Sequence, residues 1–308
     1  MANLKDIKTR IQSVQNTGKI TRAMKMVAAA KVKRAESTVK ATRPFTNELV
    51  SVFGGLLKAV NGHFSLENLK VESYLDNYPV LLEHREIKSV GLLVMTSNKG
   101  LAGAYNANII RKTITRIKEY NDSNISVKLF IVGQKGISGL KNKISDYDCE
   151  IVKKYLSVAN DVNISGVKII AEDIAEKFVK KDIDKIEIIT TRFKNMMSYS
   201  IQDWEILPLS EEMTKKESVA KIDALMLFEP NIYGILQRLV PMYITNIIYQ
   251  ALLEAQASEL ASRMTAMSAA SNNADEMIRL LSIDYNKARQ WAITQELVEI
   301  VSGANALK

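Results

Sequence analysis

The chain has 308 residues, 47% of them hydrophobic and 25% charged, which is ample for one or two packed domains and excludes a disordered chain. Its formal charge of +8 is local: residues 1–43 hold eleven lysines and arginines against Asp6 and Glu36, residues 44–230 carry twenty-five charges of each sign, and residues 231–308 have six basic residues against seven acidic ones. A single cysteine, Cys149, excludes an intramolecular disulfide, and no stretch of eighteen consecutive apolar residues is present to span a membrane.

Residues 4–52 predict a first long helix. Ile7, Ile11, Val14, Gly18, Thr21, Met24, Ala28, Val32, Ala35 and Val39 recur in steps of three and four, and Pro44 is the only proline. Lys5, Lys8 and Arg10 with polar residues between them do not make a signal peptide. Gly54, Gly55 and the polar stretch 61–63 are expected to end this helix.

The middle of the chain follows another rhythm. VGLLVM at 90–95, VKLFIV at 127–132 and IEIITT at 186–191 are strand-like runs, and helical patterns near 104–120 and 167–180 lie between them. That alternation predicts a largely parallel α/β sheet. YSIQDWEIL at 199–207, closed by Pro208, reads as an edge strand.

SNKGLAG at 97–103 and GQKG at 133–136 each follow a strand, where backbone amides could cradle a phosphate. Neither has the spacing of a dinucleotide or nucleotide-phosphate loop, so tight turns and close strand–helix packing account for the glycines better. Other chemistry is sparse. His63 and His84 are the only histidines, no Cys/His group has metal spacing, and Glu211 and Glu212 share their loop with Lys215 and Lys216 as a solvated turn would. No catalytic, cofactor or metal residue is expected.

Residues 242–302 contain neither glycine nor proline and are rich in helix formers, predicting a helix roughly 90 Å long. Leu253, Ala257, Leu260, Met264, Met267, Ser271, Ala274, Ile278, Leu281, Tyr285, Ala288 and Ala292 alternate strictly between steps of four and three. A period of 3.5 kept for this long specifies a left-handed supercoil with a partner helix, and its small residues make that coil slender. Met264 and Met267 read as core within it. The natural partner is the first helix, wound antiparallel. The expected fold class is therefore α/β with long helical arms: a two-helix coiled coil from residues 1–58 and 226–308, and a central Rossmann-like α/β domain from residues 59–225.

The two ends carry a resemblance. DIKTRIQSVQNTGKITRAMKMVAAAK at 6–31 and YNKARQWAITQELVEIVSGA at 285–304 closely resemble the terminal signatures of the gamma subunit family of the rotary, F-type ATP synthase. SNKGLAG at 97–103, FEP at 228–230 and ASELASRMTAM at 257–267 extend the likeness over most of the chain. The resemblance implies a non-catalytic rotor shaft without a cofactor, one copy per complex, inside a ring of three alpha and three beta subunits. Its α/β foot would sit beside the epsilon subunit and the membrane ring of c subunits, on the cytoplasmic face of a bacterial inner membrane. By the same likeness Met24, Lys25, Arg263, Arg289, Gln290, Thr294 and Glu296 would touch the catalytic head, with Met24 close to Arg289, Gln290, Thr294 and Glu296. The basic first helix would face acidic loops of beta.

Two departures from the family pattern stand out. Trp291 replaces a small residue and would enlarge the shaft, while Ala102 stands where many relatives have cysteine. The cysteine-bearing insertion of the chloroplast form is also absent, so thiol switching is not expected. Two other classes compete with this reading. A basic helix could bind nucleic acid, but it has apolar residues at seam spacing and no aromatic stacking platform. A Rossmann-like enzyme with coiled-coil arms should bind nucleotide on its own.

Overall fold

The computed structural model describes residues 4–60, 78–81, 83–208 and 232–306. His63, the stretch 61–63, the Glu211 to Lys216 loop and the FEP motif at 228–230 lie outside the described residues. Two compact units divide the chain, one of Met1–Ala30 with Arg263–Lys308 and the other of Lys31–Ser262.

Both long helices form, and each is longer than its sequence pattern predicts. Helix α1 spans Leu4–Val60 and passes through Gly54 and Gly55 without ending there. The two glycines are buried between Phe53 and Leu56, so packing of this last stretch offsets the weak helix propensity of glycine. Helix α6 spans Ile232–Ala306 and starts ten residues before Met242, with Pro241 inside it. Leu236, Leu239, Val240, Tyr243 and Ile244 are buried around that proline, and their burial outweighs the lost hydrogen bond.

Within Lys31–Ser262 the strands are β1 Ser89–Met95, β2 Ser126–Val132, β3 Cys149–Tyr155, β4 Lys185–Asn195 and β5 Ser198–Leu207. They form one sheet in the order β3-β2-β1-β4-β5, parallel except for the antiparallel β4–β5 pair. The expected strands and the expected edge position of 199–207 are all present. β3 was not anticipated. Helices α2 Tyr78–Leu81, α3 Tyr105–Asp122, α4 Gln134–Leu140 and α5 Ile164–Val179 complete the described elements. The side chain of Asn163 caps α5 by accepting from the Gly166 amide at 2.8 Å.

The central strands β1, β2 and β4 bury both faces over most of their length, as parallel sheets do. Leu93, Met95, Phe130 and Ile188 pack with α5, the end of α1 (Leu49, Phe53, Leu56) and the first turns of α6. Leu92, Val94, Leu129 and Ile131 pack on the opposite side with Tyr105, Ile109 and Ile117 of α3 and with Leu140. The sheet thus carries α3 and α4 on one face and holds α5 with the roots of both long helices on the other. A buried carboxylate, Glu187 of β4, ties α3 to the sheet through Arg116 and Tyr120 and also pairs with Lys185 of its own strand. Burial alone would raise its carboxyl, but hydrogen bonds from Arg116, Tyr120 and Lys185 outweigh that and hold it down at about 2.

Candidate partner-contact surface and its mounting

The unit of Met1–Ala30 and Arg263–Lys308 is built on the seam expected from the sequence. Gly18, Thr21, Ala28, Met267, Ser271 and Ala274 are buried, and every further seam residue from Ile278 to Ala292 is less exposed than its immediate N-terminal neighbour. Thr21 Oγ1 and Ser271 Oγ share a hydrogen bond of 2.9 Å, and a Cβ on Gly18 would lie only 3.3 Å from that of Ala274. Glycine permits this close approach. Three residues down one helix therefore match three residues up the other, so the pair is antiparallel. Arg22 straps the outside of the coil, its Nη2 donating to both carboxylate oxygens of Asp275 at 2.9 and 3.2 Å.

This register locates the candidate contact residues. Carried forward, it puts Met24 level with Ser268 and Arg263 within two turns of it, with all of these in one unit. Met24 and Lys25 are half-buried, and Arg263 is half-buried with a partner of its own. Arg289, Gln290, Thr294 and Glu296 are exposed. The expectation that Met24 lies close to these four is not met, because Gln290 is twenty-two residues beyond Ser268 on one continuous helix, roughly 33 Å away. Two separate surfaces exist, one around Met24, Lys25 and Arg263 and one at the end of α6. By the same register Leu4 lies level with Ala288, so no described residue of α1 flanks α6 beyond that point. There Trp291, Ile293, Leu297, Val298, Ile300 and Val301 are between 49% and 67% exposed. Exposed apolar residues gathered on one helix end make it a candidate docking site.

Charge follows the same division. Lys8, Arg10, Lys19 and Lys25 form no ion pair among the described residues, so much of the basic surplus of α1 points outward. Such charges suit brief, screened contacts with acidic surfaces.

The unit of Lys31–Ser262 holds the roots of both helices. Val32, Ala35 and Val39 of α1 meet Leu253, Ala257 and Ala261 of α6, with Phe193 of β4 beside them. A polar cluster that the sequence reading missed lies next to this packing. Glu254 is buried and accepts from Arg43 Nε at 2.7 Å, Arg43 Nη2 at 2.8 Å, the Phe193 amide at 2.8 Å and Gln250 Nε2 at 3.1 Å. Arg43 Nη2 also donates to the Phe193 carbonyl at 2.6 Å. Thr42 and Thr46 donate to Gln250 and Asn246 at 2.7 Å each, and Thr190 of β4 donates to the Ala251 carbonyl. A glutamate amid Leu252, Leu253 and Ala255 was the available signal, since a carboxylate on a buried face requires partners.

The backbone amides that open α4 are already engaged within the chain. The amides of Gln134, Lys135 and Gly136, which open α4, donate to Asn98 Oδ1, the Ser97 carbonyl and Thr96 Oγ1. The Ser97 amide donates to Asn106 Oδ1. A Cβ at Gly133, where φ is +93°, would lie 2.3 Å from the Thr96 carbonyl oxygen. Gly133 and Gly136 serve close packing, as the sequence reading preferred. Cys149 is half-buried and burial pushes its thiol up to about 12. Among the described residues no group of side chains could hold a metal ion, and no helix is long and apolar enough to cross a membrane.

An antiparallel two-helix arm whose roots are clamped to a mostly parallel α/β sheet defines a shaft-bearing protein of the central-stalk class. The family model described as ATP synthase matches residues 3–307. The ATP synthase gamma chains of Picosynechococcus sp. and Synechocystis sp. are 41% and 40% identical to this chain, with all of both chains covered. Among solved structures, a chain of the central stalk and c-ring of the Tetrahymena thermophila mitochondrial ATP synthase is 29% identical, with a TM-score of 0.58, covering 82% of this chain and 99% of its own. A chain of the Euglena gracilis mitochondrial enzyme shares the fold at 17% identity and a TM-score of 0.64, over 99% of this chain and 94% of its own. The chain belongs to the ATP synthase gamma chain family. It is the central rotor shaft of an ATP synthase and a non-catalytic subunit of that enzyme.

Proposed function

We propose that the arm turns inside a ring of three alpha and three beta subunits while the α/β foot rides with an epsilon subunit on a membrane ring of c subunits. Ion flow rotates the foot and arm, and the off-axis arm gives the three catalytic sites different affinities at any moment, a coupling of free energies between distant sites. In this reading residues 1–58 and 226–308 are the shaft and residues 59–225 the foot. Met24, Lys25 and Arg263 meet the moving loops of beta at one level, and Arg289, Gln290, Thr294 and Glu296 meet the head at another. The complex stands on the cytoplasmic face of a bacterial inner membrane, and the chain reaches that membrane only through its partners.

The observation that carries this proposal is the arm itself. A stiff two-helix coil ends in an exposed apolar tip and has outward lysines and arginines along its side, which suits a shaft that must slide within an acidic bearing. Affinity capture of the chain from its own cells tests the partner assignment. Recovery of alpha, beta, epsilon and c subunits with a single copy of this chain is expected, whereas recovery as a stable homo-oligomer would overturn it.

A further inference from the structure

A shaft is useful only if its root cannot turn against the sheet that drives it. Most of the root is held by apolar packing, which resists separation strongly but resists sliding weakly, because neighbouring methyl groups exchange contacts at little cost. Hydrogen bonds differ, since each is lost within about 1 Å of displacement. One group of directional contacts joins both helix roots to β4, and it meets at the Glu254 carboxylate and the Phe193 backbone.

We propose that Glu254 is a positioning residue for coupling: with Arg43 and the Phe193 backbone it forms the key that transmits torque from the sheet to both helices. Both oxygens of Glu254 are engaged, one by Arg43 Nε and Gln250 and the other by Arg43 Nη2 and the Phe193 amide. The bidentate pair fixes the rotation of α1 against α6, because two parallel bonds set an angle as well as a distance. The amide and carbonyl of Phe193 fix both helices to β4. The Glu254 hydrogen bonds raise the Arg43 guanidinium further above its ordinary range, so the guanidinium stays charged at every working pH. A slip between β4 and the helices would leave a buried carboxylate and a guanidinium short of partners, which is strongly unfavourable. The key is thus stiff in the direction in which the apolar root is soft.

This inference rests on the shaft reading proposed above, and its test separates the two. Complexes lacking the chain are reconstituted with wild type, Glu254→Gln, Arg43→Lys or Leu49→Ala, and ATP hydrolysis and ATP-driven ion pumping are measured on the same vesicles. If wild type restores no pumping, the shaft reading fails. Given restoration, Glu254→Gln keeps side-chain volume but sets an amide against a donor, and the ratio of pumping to hydrolysis should fall roughly three- to tenfold while hydrolysis stays within about twofold. Arg43→Lys retains the charge without the bidentate geometry and should show a smaller fall of the same kind. Leu49→Ala opens a cavity in the same root away from the key and should lower both activities in proportion. Hydrogen exchange of the Phe193 amide should accelerate in Glu254→Gln. An unchanged ratio, a parallel loss of both activities, failure of both key variants to assemble, or the same ratio change in Leu49→Ala would overturn the proposal.

Discussion

Glu187 is the residue at which pH acts on the foot most directly. It is 3% exposed, and its carboxyl sits at about 2 instead of the ordinary 4.5, so its charged form is favoured by the folded state. Stability from this group is complete above about pH 4.5 and is lost as the pH falls toward 2, because the unfolded chain takes up the proton first. Discounted for screening at its wetter side, it is on the order of 2 kcal/mol. Glu187→Gln should therefore lower the urea midpoint at pH 7, and the gap from wild type should close between pH 4.5 and 2. A gap that does not change with pH would remove the carboxylate from this role. Gly18 is the residue at which the coil is tightest. Gly18→Leu must push α6 away from its 3.3 Å approach, and a cost of about 1–3 kcal/mol is expected in the arm, read as a lower melting temperature of its helical signal.

Among the elements, the coil was the most legible and its mutual register the least. A 3.5-residue period is written along each helix, so the seam from Leu253 to Ala292 and its partner from Ile7 to Val39 could be picked out residue by residue. Which residue faces which is written in neither helix, and for that reason Met24 was placed beside Gln290 when it lies level with Ser268. Strand β3 was missed because the edge of a sheet tolerates the charged residues of CEIVKKY, which erase alternation. The starts and ends of the long helices were missed where tertiary packing overrides Gly54, Gly55 and Pro241. The Arg43–Glu254 key escaped because charges on a helix read as a solvated face until a second element covers them. Leu281 tests the seam as an element: it is half-buried and level with Ile11, so Leu281→Asp should cost about 1–3 kcal/mol. Exchange of amides at both helix levels should accelerate together, and acceleration confined to α6 would place Leu281 outside the seam.

At the scale of the whole molecule, the separation of the two candidate contact surfaces by roughly 33 Å changes what a substitution can do. Met24→Lys adds a cation at the first surface, where an acidic loop would have to release it at every step. Hydrolysis by the complex should largely survive while ATP-driven pumping falls disproportionately. A second change at Arg263, within two turns of Met24, can restore pumping by direct contact. One at Gln290 or Thr294 can do so only by altering the second surface. A proportional loss of both rates would make Met24 an ordinary seam residue. The central claim is that this chain is a rotating shaft, and single-molecule observation tests it most directly. With the catalytic head fixed to a surface and a bead attached to an exposed foot residue such as Lys143 through Lys143→Cys in a Cys149→Ser background, ATP should drive stepwise rotation in one direction. A bead that only fluctuates, on complexes that hydrolyse ATP at the normal rate, would contradict the account.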